Sequence, residues 1–144
     1  MIRESIEIAR SPQDVFAYLD QLDRHGEWQG GIVSAKVETE GPVRLGTVAS
    51  EVRKVPGGTR EIRYEITEHD PPRRSAFRGV SGPVRPVGAV TVEPSGDGSR
   101  VTIELDFEGH GLGKMLLPLV RRDAAREVPE SQRRLKERLE SGAA

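Results

Sequence analysis

Ile2, Ile6 and Ile8 alternate with Arg3, Ser5 and Glu7, the period-two signature of a strand with one apolar face. Glu4 falls on the apolar side and is expected near the open end of a sheet. The pattern then changes period. Ser11 reads as an N-cap, Pro12 fits the first helical position, and Asp14 completes the spacing of a capping box. Val15, Phe16, Leu19 and Leu22 form the apolar stripe of this first helix; Gly26 is expected to break it, with Trp28 in a second short turn or helix. Six strands are expected next: Ile32 to Glu38, Thr47 to Val55, Arg60 to Glu68, Arg74 to Val80, Val84 to Glu93, and one carrying Val101, Ile103, Leu105 and Phe107. Turn signals separate them, at Gly41-Pro42, Pro56-Gly57-Gly58, Asp70-Pro71-Pro72, Ser81-Gly82-Pro83 and Pro94 to Ser99. Pro86 and Gly88 suit an edge or a bulge better than a central strand.

The chain closes on a helical pattern. Leu117, Val120, Ala124, Val128, Leu135 and Leu139 recur at near-helical spacing, after a flexible lead-in at Gly109 to Gly113. Pro129 lies inside this pattern. It removes an amide donor and clashes with the carbonyl of Ala125, so a kink is expected between them. Residues 141–144 are expected to fray. Strands joined by turns, with helices only near the two ends, predict one α+β domain over residues 1–144 with an antiparallel meander. The last helix must cover the sheet, and the space between them suits a small molecule.

Composition narrows the classes. A chain of 144 residues buries ~68–70% of its unfolded surface, but 35% hydrophobic residues against 31% charged ones predict a modest core. No apolar run approaches 18 residues and no basic start leads into an apolar segment, so neither a transmembrane segment nor a secretory signal is expected. The absence of cysteine excludes disulfides and thiolate chemistry, and a cytoplasmic location is the default expectation. A net charge of −1 gives no field that would recruit nucleic acid. From Leu112 onward, however, eight Lys/Arg stand against five Asp/Glu. Such a basic helix face is either simply solvated or meets an anionic partner.

Candidate chemistry is sparse. His25, His69 and His110 fall in three separate turn regions without metal-ligand spacing, so no metal is expected. No nucleophile elbow, phosphate-binding loop or dinucleotide fingerprint occurs. The glycine-rich "GHGLG" opens a helix and reads as a hinge or an anion site. Tyr64 shares a strand face with Ile62 and Ile66, and a buried phenol needs a hydrogen-bond partner, which a ligand can supply. Ser50 lies between Val48 and Val52 and lines the space if that face is inward; the other face brings in Glu51 and Arg53. Arg60, Tyr64 and Glu68 share one face and can offer the base and donors that proton abstraction beside a carbonyl requires, although Arg60 and Glu68, near the strand ends, are expected to reach solvent. His25, followed by Glu27 and Trp28, is the histidine nearest this region.

The first strand, "IARSPQDVF", Trp28, the glycine-rich turns and the closing "LKERLE" together resemble the START/Bet v 1-like (SRPBCC) superfamily over Ile2 to Glu140. The branch they resemble is the bacterial polyketide cyclase/dehydrase and lipid-transport group. Members often carry an aromatic residue, commonly Trp, eight positions after the last apolar residue of the first strand. Here Ile8 and Phe16 keep that spacing, while the family's acidic-Ala-Pro turn is replaced by Ala9-Arg10-Ser11 ahead of Pro12. The resemblance implies a helix-grip fold: a curved seven-stranded antiparallel sheet around a long C-terminal helix, with two short helices after the first strand and an internal cavity. It implies binding or transport of a small hydrophobic or aromatic ligand, lipid-, polyketide- or isoprenoid-like, in a monomer or homodimer without a cofactor. A polyketide cyclase/dehydratase is the alternative and a chaperone-activator-like interaction protein a third. The expected lining is Trp28, Ser50, Ile62, Tyr64, Ile66, Phe107, Leu117, Val120 and Ala124, with Tyr64 and His25 as the catalytic candidates of an enzyme.

Overall fold

The computed structural model describes every residue except Pro56 and Ala143. Strand β1 (Ile2–Ile8) leads into helix α1 (Pro12–Leu19) and a 3-10 helix, Leu22–Glu27. Strands β2 (Ile32–Val37), β3 (Val48–Val55), β4 (Gly58–Asp70), β5 (Arg74–Gly79), β6 (Val84–Ser95) and β7 (Gly98–Gly109) follow as a meander. A second 3-10 helix, Gly111–Leu116, runs directly into the 25-residue helix α2 (Leu117–Ser141). All seven strands form one antiparallel sheet in the order β1-β7-β6-β5-β4-β3-β2, so the first strand pairs with the last.

The local reasons match the residues. The Ser11 hydroxyl accepts the Asp14 amide at 3.2 Å with Pro12 in the first turn, whereas the Asp14 carboxylate turns back to Arg10 at 3.0 Å. The capping box is therefore half made. Helix α1 stops at Leu19, earlier than the stripe through Leu22 implies, and Gly26 sits inside the first 3-10 helix with Trp28 as its C-cap. Helix α2 runs unbroken through Pro129, which excludes a loop there, and Gly142 closes it in the left-handed conformation at φ 77°. Pro56 and Ala143, within the expected turn and tail, lie outside the described residues.

One expectation is corrected. β6 is a central strand, paired to β7 from Val84 to Ser95 and to β5 from Val87 to Thr91. Pro86 is tolerated because it lies just past the last β5 pair, Arg78↔Val87, where its missing N–H has no β5 carbonyl to meet. Gly88 is required by packing: a Cβ there would stand 3.1 Å from the Phe77 ring and 2.5 Å from the Glu104 carbonyl.

Cross-strand register defines the inner face. Ile6, Val92 and Val101 share it, as do Ile66 and Phe77, and Ala49 and Tyr64. Two apolar clusters result. The larger joins Ile8, α1, Trp28, Val92 and Val101 to Leu135 and Leu139 of α2. The smaller gathers Leu22, Ala49, Tyr64 and Ile66, with Val37, Val43 and Phe77 against it, and contains no residue of α2. The helix therefore grips the β1–β7 side of the sheet and leaves the β3–β5 side to the smaller cluster.

Candidate functional site

The separation of the two clusters sets the site. In the C-terminal half of α2, Val128, Leu135 and Leu139 are buried. In its N-terminal half, Leu117, Val120 and Ala124 are only half-buried. Ile62 and Phe107 on the inner face of the sheet are half-buried as well. Sheet and helix thus close on one another at one end and part at the other, leaving apolar side chains within reach of solvent.

Tyr64 stands on this inner face. Ala49, Tyr64 and Gly79 line up across three strands, and Pro86, whose ring fills the space over Gly79, pairs in turn with Phe107. The Tyr64 ring meets Phe77 edge-on at 5.5 Å between centroids and is 6% exposed. Among the described residues every fully buried side-chain nitrogen or oxygen has a hydrogen-bond partner. The Tyr64 hydroxyl has none, so it is the point at which this buried ring reaches accessible space. Burial, with the Glu51 carboxylate as a lesser contribution, pushes the phenol well above its ordinary range. At neutral pH it is a hydrogen-bond donor and not a base.

The question left open on β3 resolves toward charge. Ala49, paired with Tyr64, and Glu51, paired with Ile62, face inward; Ser50, paired with Arg63, faces outward and bonds Glu38. Ser50 is therefore removed from the lining. Period-two alternation at Val48, Ser50 and Val52 misleads here because the inward charges neutralise each other. Arg53 Nε meets Glu51 at 2.5 Å, and its guanidinium also donates to the Gln29 side-chain carbonyl. Arg60 pairs with Arg53 and so shares the inner face, whereas Glu68 lies past the bulge after Ile66 and bonds Arg74 at 2.6 Å.

His25 borders the same region. Its Nε2–H donates to the Leu19 carbonyl at 2.7 Å, which fixes the tautomer and leaves the lone pair on Nδ1. Burial holds the imidazole below its ordinary pKa, against the opposing pull of the Leu19 bond and the Glu51 charge. Trp28, 5% exposed, meets His25 edge-on at 5.3 Å and belongs to the larger cluster, and Ile66 is buried beside Tyr64. His110 is exposed ahead of the second 3-10 helix. Among the described residues no group of three His, Asp or Glu side chains is arranged to hold a metal ion.

Three polar contacts have no signature in the local sequence. His69 Nε2 bonds the Asp20 carboxylate at 2.9 Å, joining β4 to the end of α1 across 49 positions. The Tyr18 hydroxyl donates to Glu27 at 2.8 Å and accepts from Arg138 at 2.9 Å, tying α1, the first 3-10 helix and α2 together. Tyr18 was not among the α1 stripe residues read from the sequence, although it falls three positions after Val15 and is buried.

The arrangement is an apolar lining with a buried donor at Tyr64 and a paired cation and carboxylate at Arg53 and Glu51. It can hold a flat or aliphatic molecule and orient one oxygen. The family model for polyketide cyclase / dehydrase and lipid transport matches residues 1–140. An uncharacterized protein of Mycobacterium tuberculosis is 27% identical over 111 residues, covering 75% of this chain and 76% of its own length. The crystal structure of TTHA0849 from Thermus thermophilus superposes with a TM-score of 0.81 at 22% identity, covering 99% of both chains. A START superfamily protein from Mycobacterium smegmatis gives 0.78 at 14% identity over 97% of each chain. The di-domain aromatase/cyclase StfQ of the steffimycin biosynthetic pathway gives 0.73 at 15% identity, covering 99% of this chain and 46% of that one. These structures share the helix-grip fold.

Proposed function

Because the chain belongs to the polyketide cyclase / dehydrase and lipid-transport family, we propose that it binds a small hydrophobic or aromatic molecule between the inner face of the sheet and the N-terminal half of α2. The unpartnered hydroxyl on the buried Tyr64 ring carries this reading. A hydroxyl with no protein partner, at the accessible edge of a buried ring, is free to donate to the oxygen of a bound molecule in place of water. Half-buried Ile62, Phe107, Leu117, Val120 and Ala124 supply apolar surface of the kind that lines ligand sites.

The test is binding of a hydrophobic fluorescent probe, followed by Trp28 quenching, with native mass spectrometry on freshly purified protein for copurified ligand. Tyr64→Phe is expected to weaken the probe by ~0.5–1.5 kcal/mol, the worth of one neutral hydrogen bond. Tyr64→Ala should weaken it more, through lost packing. Probe binding unchanged in both variants would place the ligand elsewhere.

A second reading, a polyketide cyclase/dehydratase, is favoured by one observation: the inward Glu51–Arg53–Gln29 chain beside a neutral His25 with a free Nδ1. In that reaction His25 would take the acidic proton between two carbonyls, and Tyr64 and Arg53 would hold the enolate oxygen. Turnover of a poly-β-ketone substrate that falls ~10²–10⁴-fold in His25→Gln, with probe binding kept, would promote this reading over simple binding.

A further inference from the structure

The open end of the sheet–helix space is bordered by the second 3-10 helix and the first turns of α2, and this segment is built unlike the rest of the surface. Leu112 is 82% exposed, Met115 79%, Leu119 54% and Leu116 40%, four large apolar side chains at the spacing of one helical face. They are not loose ends of a frayed segment. Gly113 is buried against the Pro83 carbonyl, so closely that any side chain would collide with it, and the His110 amide donates to that same oxygen at 2.8 Å. The segment is held firmly with its apolar side outward.

Its charge is one-sided. Gly109 to Arg122 holds Lys114, Arg121 and Arg122 and no acidic residue. Arg121 is occupied by Asp106 at 3.0 Å, while Lys114 and Arg122 make no ion pair among the described residues. Two of the three cations are thus left uncompensated beside the exposed leucines. Exposed apolar side chains flanked by free cations are the composition of a segment that lies in a membrane interface, the apolar side among the acyl chains and the cations at anionic headgroups. A second copy of this chain on the same patch would bring like charges together. Among the described residues no helix is long and apolar enough to span a bilayer, and contact through this segment would be peripheral.

We propose that Gly109 to Arg122 docks this protein on anionic lipid surfaces, with Leu112, Met115 and Leu119 inserted and Lys114 and Arg122 against the headgroups. The docking puts the open end of the ligand space against the bilayer, the natural source or sink of an apolar molecule. This last step rests on the binding function proposed above; the docking itself does not.

The experiment is flotation of the full chain with vesicles of phosphatidylcholine alone and of phosphatidylcholine with about one third phosphatidylglycerol, at low salt and at about 0.5 M salt, where the Debye length falls to a few ångströms. Binding is expected to the anionic vesicles, to weaken with salt, and to be far weaker on the neutral ones. Lys114→Gln and Arg122→Gln should each lower the partition coefficient about fivefold. Leu112→Ser with Met115→Ser should lower it at least about tenfold while leaving the thermal transition unchanged, since both side chains are exposed. Tyr64→Ala should leave vesicle binding intact, which separates this test from that of the ligand site. Absence of flotation with anionic vesicles, or flotation indifferent to the Leu112/Met115 variant, overturns the proposal. So does a dimer in light scattering that the same variant dissociates, because the patch would then be a self-interface.

Discussion

Burial acts in opposite directions on Tyr64 and His25, and both end uncharged at neutral pH. The Tyr64 phenol is raised and the His25 imidazole lowered. For His25 this links stability to pH. The unfolded chain protonates the ring near its ordinary 6.5, whereas the folded protein resists protonation until lower pH. Below 6.5 the unfolded state therefore binds more protons, and stability falls as pH drops through that window. Denaturant titrations between pH 7.5 and 5 are expected to show this loss, at no more than about 1.4 kcal/mol per pH unit. His25→Gln should flatten the slope. Carboxylates held low by their partners, such as Glu27 and Glu38, act only in a more acidic range, below the ordinary 4.5. Arg53→Met gives a second residue-level expectation, because it leaves Glu51 inward without its cation. Losing one partner of a fully buried pair costs ~3–5 kcal/mol. Arg53 keeps 28% of its side chain exposed, so a loss of about 1–3 kcal/mol in urea denaturation is expected. These two charges also mark the limit of what the sequence showed. Tyr64 was legible from alternation with Glu65 and Arg63, but nothing local tells that Glu51 and Arg53 neutralise each other across two positions.

Among the elements, α2 carries two different surfaces on one axis. Leu135 is fully buried and Leu119 is 54% exposed, although both fall on leucines of the same helix. Leu135→Ala is expected to cost ~2–5 kcal/mol by cavity formation. Leu119→Ala should change thermal stability by less than about 0.5 kcal/mol. Equal losses would mean that the N-terminal half of α2 is gripped as firmly as the C-terminal half. Strand periodicity located each of the seven strands, most cleanly in β4, where buried Tyr64 and Ile66 alternate with exposed Arg63, Glu65 and Thr67. β6 was the exception: its proline and glycine argued for an edge, yet each sits where the neighbouring strand ends or a ring leans in.

At the scale of the whole molecule, the order of elements was legible because each is punctuated by Gly, Pro or a capping residue. The half-burial of Leu117, Val120 and Ala124 against the full burial of Leu135 and Leu139 was not, since it depends on which half of the helix the sheet reaches. Removing Gly113 to Ala144 is expected to abolish cooperative folding. Val128, Leu135 and Leu139 alone contribute ~1.5–3 kcal/mol each by burial, most of the stability of a typical domain. A truncated chain with a sharp melting transition near that of the full protein would contradict this.

The pairing of the first strand with the last has a consequence in time. Ile8 finds its partner at Ser99 and Ile2 at Leu105, so β1 leaves the ribosome with nothing to bond. At ~5–20 residues per second it waits several seconds for β7, and longer for the helix that covers both. Every other neighbour pair in the sheet is adjacent in sequence and can zip locally. Closure across the ends is thus the late, entropically costly event of synthesis. Until it happens, Ile6 and Ile8 are an uncovered apolar strand on a nascent chain.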